Sequence, residues 1–408
     1  MPDLSDKLKS LGVKIGARDI IPVPKTNRDR DLEQLLQGQF IKNDQGDTFV
    51  SDHAFSTLEI NKFELDDLEK GLAIFSQWTG HDLLAKQTLD KFLFIDTETT
   101  GLAGGTGTYT FLIGAGRIEN EIFHLKQFFL HDPSEESAQL LAFEEFIADS
   151  NIVVTYNGKS FDVPLINTRY LTHGWQSPLQ DFMHIDLLLL ARRLWRERLP
   201  SRTLGNIEAQ ILNITRSLED IPGWMIPQIY FDYLRLGEIN PLGQVFYHNS
   251  MDVLSLACLL NHILFMFTNP THVLIKHEED YLALASLFED LGMHEDATKS
   301  YQYALSQNHS QHTYITTLNQ LAYIYKRQGN FTEAIKLWEL AANSENIQAY
   351  IELAKYYEHR IHNYKKAIYW TETALNHVNA VSIQKYKIKP WIDELEYRLN
   401  RLIRLNSS

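Results

Sequence analysis

Residues 92–98 read Phe-Leu-Phe-Ile-Asp-Thr-Glu, and this short run constrains the fold more than any other part of the chain. The four apolar residues predict a buried strand. Asp96 and Glu98 then occupy alternate positions, so their carboxylates project from one face of that strand. Two like charges held side by side are unfavourable unless a cation joins them, and oxygen-rich clusters suit Mg²⁺ or Mn²⁺. An Asp-x-Glu sequence alone is also typical of a solvated strand end.

Strands and helices alternate after this run. The segments, in order, are β-rich runs at Tyr109–Arg117 and Glu121–Phe129, a helix at Ser134–Asp149, a strand at Ile152–Tyr156, a helix at Lys159–Thr172, a strand at His184–Asp186 and a long apolar helix at Leu242–Phe267. The two β-rich runs predict a hairpin. The whole order predicts an α/β domain on a mixed sheet over residues 91–270. Residues 1–90 give weaker signals, and we interpret them as a partly helical N-terminal lead-in of unknown function.

The C-terminal region repeats a helix–turn–helix pattern. Three copies cover Leu284–Leu305, Leu318–Leu340 and Ala349–Leu375, and Ala297, Ala334 and Ala367 recur in them at intervals of 37 and 33 residues. A helix pair with a period near 34 and a small residue at the helix crossing resembles tetratricopeptide repeats, which we expect over residues 278–405. Any other antiparallel helical array would give a similar pattern. Such repeats favour a protein partner.

Composition excludes several classes of protein. The chain has 408 residues, 44% of them apolar and 22% charged, so it is neither collagen-like nor wholly disordered. Its net charge of −14 argues against binding nucleic acid through bulk charge. The polar N-terminus predicts no secretory signal, and apolar stretches such as Leu187–Ala191 are too short to cross a bilayer. With Cys258 as its one cysteine, the chain is expected in a reducing compartment, the cytoplasm.

Two further acids and a histidine add to the carboxylate pattern. Asp162 follows a predicted strand in Tyr156-Asn-Gly-Lys-Ser-Phe-Asp162, and Asp252 lies on the last helix in His248-Asn-Ser-Met-Asp252. His248 and Asp252 are four residues apart and therefore share a helix face. Each has an ordinary structural interpretation: a helix N-terminal acid, a core histidine and a surface acid, respectively.

Taken together, these three motifs resemble those of the DnaQ-like (DEDD) exonuclease superfamily, which has a ribonuclease H-like fold. The glycine-rich stretch that follows the first motif and the C-terminal repeats are most similar to the YprB-like group. The resemblance implies that Asp96, Glu98, Asp162 and Asp252 hold two divalent metal ions, Mg²⁺ or Mn²⁺. It also implies 3′–5′ hydrolysis of single-stranded DNA or RNA from an end.

The general base has two candidates. The superfamily places four residues between a catalytic histidine and the last aspartate, or three between a tyrosine and that aspartate. Here His248 stands at the tyrosine spacing, and Tyr247 at the histidine spacing. We favour His248 because the unperturbed pKa of histidine, near 6.5, suits proton transfer at neutral pH.

Candidate substrate contacts surround the motifs. They are Thr99, Gly101, Leu102, Asn157, Lys159, Arg192, Arg193 and Arg196. The arginines belong to a cluster that also contains Arg198 and Arg202 and would suit phosphate, although a solvated helix face would give the same pattern. Gly158-Lys159-Ser160 lacks the earlier glycine of a phosphate-binding loop, so ATP binding there is excluded. We expect Asp186 to cap a helix and Trp195 to lie in the core.

The sequence therefore predicts a two-metal 3′–5′ exonuclease. Two alternatives stay open at this point. One is a non-catalytic adaptor that binds nucleic acid or protein through its repeats, and the other is a hydrolase of a small phosphodiester such as a dinucleotide.

Overall fold

The computed structural model describes residues 25–56, 68–101, 105–217, 220–272, 275, 277–307, 310–380 and 385–407. The chain forms two compact units. The first contains residues 1–191 and 201–264, and the second contains residues 192–200 and 265–408.

One seven-stranded mixed sheet forms the centre of the first unit, within the described ranges. Its strands are β1 (Gly38–Asn43), β2 (Gly46–Ser56), β3 (Phe92–Thr99), β4 (Thr110–Glu119), β5 (Ile122–Phe129), β6 (Ile152–Thr155) and β7 (Met183–Asp186). They lie in the order β1-β2-β5-β4-β3-β6-β7. Strands β3, β6 and β7 are parallel, and the other neighbours are antiparallel. The predicted mixed sheet and the β4–β5 hairpin are confirmed.

The prediction of a partly helical lead-in is wrong for residues 38–56. Strand β2 pairs antiparallel with β5, so the β1–β2 hairpin extends the central sheet. Strand β1 is an edge strand whose residues all retain some exposure, and it carries too few apolar residues to be recognised from its pattern. The partly helical character expected of residues 1–90 is observed at Lys25–Leu36 and Leu68–Thr79, and residues 1–24 and 57–67 lie outside the described residues.

Eight α-helices in the described part of the chain begin in the first unit. They are α1 (Lys25–Leu36), α2 (Leu68–Thr79), α3 (Glu136–Ile147), α4 (Asp162–Thr172), α5 (Leu187–Leu194), α6 (Leu204–Ile207), α7 (Ile226–Leu236) and α8 (Leu242–Thr268). Helices α3 and α4 pack on one face of the sheet, against side chains such as Phe128. Helices α1, α7 and α8 cover the other face, where Phe129 lies. Alternate residues of each strand thus build two cores, as the period of a β-strand requires.

Helix α8 is long and apolar enough, by length and composition, to cross a membrane. The sequence analysis predicted this helix but compared only shorter apolar stretches with the thickness of a bilayer. In the structure, 72% of its most apolar window is buried within the protein, as in the core helix of a globular domain. Its apolar character is therefore accounted for by packing on the sheet.

The second unit consists of antiparallel helical pairs in its described residues. They are α9 (Glu278–Asp290), α10 (His294–Ser306), α11 (Gln311–Arg327), α12 (Phe331–Ala342), α13 (Ile347–His359), α14 (Tyr364–Ala380) and α15 (Lys385–Ser407). Successive helices pack against each other, and Ala297, Ala334 and Ala367 are fully buried. Small buried residues at this period allow close helix crossings, as predicted. The assignment to tetratricopeptide repeats stays a prediction.

Candidate active site

Three predicted motifs meet at one edge of the sheet. Strands β3 and β6 are parallel neighbours, so the acids at the end of β3 and the first residue of α4, just beyond β6, lie at the same end of the sheet. Thr97, between Asp96 and Glu98, donates a hydrogen bond from its Oγ1 to Asp162 Oδ1 at 2.5 Å. The parallel pairing therefore brings the first and second motifs together.

Helix α8 brings the third motif to this edge through close contact with the sheet. Asp96 is paired in register with Gly114 on β4, and a Cβ atom at Gly114 would lie 2.2 Å from Oδ1 of Asn249. The absence of a side chain at Gly114 leaves room for Asn249. Asn249 Nδ2 then donates to Asp96 Oδ2 at 3.0 Å and to the Asp96 carbonyl at 3.1 Å.

A buried polar row extends from Asn249 across the sheet, and the sequence analysis missed it. Gln127 on β5 donates from Nε2 to Asn249 Oδ1 at 2.8 Å and accepts from Ser51 Oγ at 3.1 Å. All three side chains are buried. A buried polar group requires a partner, so each member of the row depends on the others. The available signal was that Gln127 takes an alternate position of β5 at which Phe123, Leu125 and Phe129 are apolar.

The third motif lies beside the first. Ligand atoms of Glu98, His248 and Asp252 all lie within 4.8 Å of one another, close enough to hold a common metal ion. His248 Nε2 lies 3.5 Å from Asp252 Oδ2. These three residues come from two elements, β3 and α8, and all are half-buried.

The electrostatics of the acids reflect their crowding. Burial raises the pKa of Asp96 well above its usual range, and the charges of Asp252 and Glu98 raise it further. Burial, and then the charge of Asp252, likewise raises the pKa of Glu98. Burial raises the pKa of Asp162 to about 6 against the opposing hydrogen bond from Thr97. The pKa of Asp252 is also raised by burial, although Arg216 and His248 oppose that effect. Such carboxylates are stabilised by a cation.

Arg216 is a second feature of the site that the sequence analysis missed. Its guanidinium contacts Asp252 Oδ1 and makes two hydrogen bonds, of 2.7 and 2.6 Å, to the carboxylate of Glu208, which is buried. A buried carboxylate needs a paired cation, and Glu208 thus fixes the position of the guanidinium. Arg216 therefore neutralises one side of Asp252, while Asp252 Oδ2 faces His248. No sequence pattern marked this arginine, because Asp252 lies 36 residues further along the chain and Glu208, eight residues earlier, forms no recognisable motif with it.

His248 has a carboxylate partner on its other side. Its Nδ1 lies 2.7 Å from Asp220 Oδ1 and 3.3 Å from Arg216 Nη1. The two contacts demand opposite roles of Nδ1, and the shorter one, to a carboxylate that only accepts, assigns the hydrogen to Nδ1. Nε2 is then the nitrogen with a free lone pair, and it faces Asp252.

Tyr247 points to a different partner. Its hydroxyl accepts a hydrogen bond from the backbone N–H of Ser217 at 2.9 Å. His248, by contrast, is one of the three residues that surround a possible ion position. His248 and not Tyr247 thus lies beside Glu98 and Asp252, and its role as the base stays a prediction.

A cleft of about 350 Å³ opens beside Asp162. It is lined by Thr97, Thr99, Gly101, Gly105, Ser160, Phe161, Asp162, Pro164, Leu165 and Thr168. Two predicted contacts, Thr99 and Gly101, lie in this lining, whereas Leu102 lies outside the described residues. Phe161 is 52% exposed and was not predicted.

A buried ion pair holds the backbone at Thr106, close to this cleft. Arg169 on α4 makes two hydrogen bonds of 2.6 Å to Glu136 and donates to the carbonyl oxygen of Thr106 at 2.7 Å. Because α4 begins with Asp162, one helix positions both a candidate metal ligand and the loop after β3.

Asp186 orders the loop that carries two of the predicted contacts, Asn157 and Lys159. The side chain of Asp186 accepts hydrogen bonds from the backbone N–H groups of Asn157, Lys159 and Leu188, so it caps α5 as expected and also orders the loop after β6. Trp195 is buried, as predicted. The Lys159 side chain is exposed.

The arginine cluster lies largely in the second unit. Arg193 pairs with Asp290, Arg198 pairs with the buried Asp280 at 2.5 Å, and Arg196 lies 3.5 Å from Glu197. These ion pairs satisfy much of the positive charge that suggested a phosphate clamp. Arg192 is exposed, and its predicted phosphate contact stays untested.

Comparisons with known proteins agree with this fold. The chain is 34% identical over 355 residues to the uncharacterized protein YprB of Bacillus subtilis (strain 168), which covers 85% of this chain and 83% of that protein. The chain belongs to the YprB family. Within this YprB-family chain, a family model of the RNase_H superfamily (RNase_H_2) matches residues 93–264. That span contains Asp96, Glu98, Asp162 and Asp252, and it supports a nuclease-type function.

A solved structure also resembles part of this YprB-family chain. It is the family B DNA polymerase of the hyperthermophilic archaeon Pyrobaculum calidifontis, with 16% identity and a TM-score of 0.34. The match covers 52% of this chain and 29% of the polymerase, so the likeness is only partial.

Proposed function

We propose that this chain is a metal-dependent 3′–5′ exonuclease that hydrolyses phosphodiester bonds of single-stranded nucleic acid. The observation that carries the proposal is the crowding of four half-buried acids, Asp96, Glu98, Asp162 and Asp252, whose pKa values are all raised. A fold that concentrates negative charge in this way is stabilised by multivalent cations.

The donor set fits two divalent ions. Carboxylate oxygens are the preferred ligands of Mg²⁺ and Mn²⁺, and Asp96, Glu98, Asp162 and Asp252 would hold them. When bound, such ions stabilise the charge that develops on the attacking and leaving oxygens at phosphorus. Asn249 keeps Asp96 in place through its hydrogen bonds to the side chain and the carbonyl oxygen.

His248 would act as the general base. Its Nε2, left with a lone pair by the hydrogen bond from Nδ1 to Asp220, would accept a proton from the attacking water. The neutral imidazole has only one such nitrogen, and Asp220 directs it towards Asp252.

The cleft beside Asp162 would hold the terminal nucleotide. Gly101 lies in its lining without a side chain to obstruct the backbone, and Phe161 presents an exposed ring. Aromatic rings stack on every nucleobase, so this cleft is compatible with strands of any sequence.

The activity is tested with single strands that carry a fluorophore at the 5′ or the 3′ end. With Mn²⁺, we expect the 5′-labelled strand to shorten in single-nucleotide steps and the 3′ label to be released at once as a mononucleotide. Asp96→Asn and chelation by EDTA should abolish both signals. Asp149→Asn, at an exposed acid, is the matched control. Unchanged strands in every condition would contradict the proposal and favour a non-catalytic adaptor.

Matched DNA and RNA strands, with their duplexes, distinguish the substrate class in the same assay. A dinucleotide cleaved far faster than a long strand would favour a small-molecule phosphodiesterase.

The base is identified with Tyr247→Phe and His248→Ala. We expect cleavage to be lost only with His248→Ala, and loss with Tyr247→Phe alone would contradict that assignment.

A further inference from the structure

Trp224 is an exposed aromatic residue that comes directly after residues lining the candidate site. A cavity of about 470 Å³ is lined by Asp252, His248 and Arg216, among others, and by residues 221–223. The next residue, Trp224, is 80% exposed, more than any other large hydrophobic side chain in the described part of the chain. An indole left in water forgoes the free energy that its burial would give, and its apolar face is available for contact with a ligand.

Three more exposed side chains continue from Trp224 along one helix face. Trp224 lies in the short turn that leads into α7, and Gln228, Phe231 and Arg235 follow at helical spacings of four, seven and eleven residues. All four are exposed, whereas Tyr230 is buried. Residues at these spacings line up on one side of a helix. We call these four residues the α7 strip.

The helix beneath the strip is firmly held. Tyr230 stacks on Phe111 with ring centroids 4.1 Å apart, and its hydroxyl donates to the carbonyl oxygen of Leu130 at 2.8 Å. Tyr233 is buried against Phe129, with ring centroids 5.3 Å apart. The opposite, exposed face therefore belongs to a rigid platform, which lowers the entropy lost when a ligand binds.

The chemistry of the strip suits a nucleic-acid strand. It presents two aromatic rings, an amide and a guanidinium, with Arg235 Cζ 6.0 Å from the Phe231 ring. Asp232, also on this side, accepts hydrogen bonds from Gln228 at 2.7 Å and Arg235 at 3.3 Å, which orders both side chains but leaves the strip without net charge. Binding at the strip would therefore depend on base stacking more than on phosphate contacts.

We propose that the α7 strip binds the single strand several nucleotides from the end that is cleaved, with Trp224 stacked on a base. This inference rests on the proposed function, since it takes the cavity at Asp252 as the reacting centre. The occupant is a nucleic-acid strand because Trp224 adjoins the wall of that cavity, so a strand that leaves the site on this side meets the indole first. The enzyme then prefers strands long enough to reach the strip.

The first test measures cleavage by the full chain with Mn²⁺. For a strand of about 20 nucleotides, Trp224→Ala should raise KM about tenfold with little change in kcat, and Trp224→Phe should restore most of the loss because it keeps a stacking ring. For a dinucleotide, neither variant should change KM. Trp391→Ala, at another exposed tryptophan, is the control. An equal loss on both substrates would show that the site itself is disturbed, and would overturn the proposal.

The second test does not depend on cleavage. Binding of a fluorescent single strand is followed by anisotropy in an Asp96→Asn background, with and without Trp224→Ala. We expect about tenfold weaker binding in the double variant, whether or not the wild-type chain proves to be a nuclease. Failure of cleavage alone would thus count against the proposed function and not against the strip. Unchanged affinity in the double variant would overturn the proposal and leave this face to a protein partner.

Discussion

Asp220 holds His248 by its Nδ1 nitrogen at 2.7 Å, so that Nε2 faces Asp252 at 3.5 Å. The two residues are 28 positions apart, with Asp220 in the loop before α7 and His248 on α8. Carboxylates that orient an imidazole in this way fix its tautomer and keep the reactive nitrogen in place.

We expect Asp220→Ala to lower kcat for strand cleavage about 10- to 100-fold while KM changes little, because it removes the partner of Nδ1 and not a substrate contact. Asp220→Asn keeps an oxygen acceptor and should fall between the wild type and Asp220→Ala. Steady-state kinetics with a labelled oligonucleotide measures both parameters. A large rise in KM with unchanged kcat would show that Asp220 does not act through His248.

Asn249→Ala should destabilise the fold. It removes the hydrogen bond that Asp96 Oδ2 accepts and one of the two that Gln127 Nε2 donates, and an unsatisfied buried polar group costs about 1–3 kcal/mol. Urea unfolding monitored by circular dichroism measures the free energy of unfolding. Ser250→Ala, at the half-buried neighbour on the same helix, is the control. Equal stability of the two variants would mean that the polar row carries no net stabilisation.

Gly114→Ala should impair both stability and cleavage. The added Cβ would lie 2.2 Å from Asn249 Oδ1, which forces α8, with His248 and Asp252, away from β3. Gly243→Ala is the control, since its Cβ would meet nothing within 4 Å. We expect a lower midpoint of thermal unfolding and loss of activity for Gly114→Ala alone. A crystal structure of that variant with α8 unmoved would contradict this account.

The thermal stabilisation given by Mn²⁺ should grow with pH. The pKa of Asp162 is raised from 3.8 to about 6 in the folded protein, so without metal the folded state binds this proton more tightly than the unfolded state does. The stability contributed by that protonation is present below the unfolded pKa and is lost as pH rises through the folded pKa. A divalent ion replaces the proton on the ionised carboxylate.

The measurement is the shift in the unfolding midpoint on adding Mn²⁺, read by scanning fluorimetry. We expect a small shift at about pH 5 and a larger one at about pH 7.5. Asp162→Asn should reduce the shift and its pH dependence. A shift that is the same at both pH values in the wild-type chain would rule out metal binding at these carboxylates.

Much of the fold was predictable because its signals are local. Short apolar runs marked β3 and β6, two adjacent β-rich runs marked the β4–β5 hairpin, and the spacing of Ala297, Ala334 and Ala367 marked the helical pairs. The β1–β2 hairpin was not recognised, because a partly polar edge strand lacks the apolar pattern on which such predictions depend. The protein partner of the helical pairs and the cytoplasmic location stay predictions.

The candidate site, like the fold, was predictable only in part. The sequence alone determined which acids and which histidine are candidates, because motif residues lie next to the strand and helix ends that carry them. Only the tertiary structure decided what holds them: Asn249 at Gly114, Arg216 between Glu208 and Asp252, and Asp220 on His248. The reason is physical, since these supporting contacts join residues that are distant along the chain and leave no periodic or local pattern. They exist only once the sheet has brought its strands into register and α8 has packed against it.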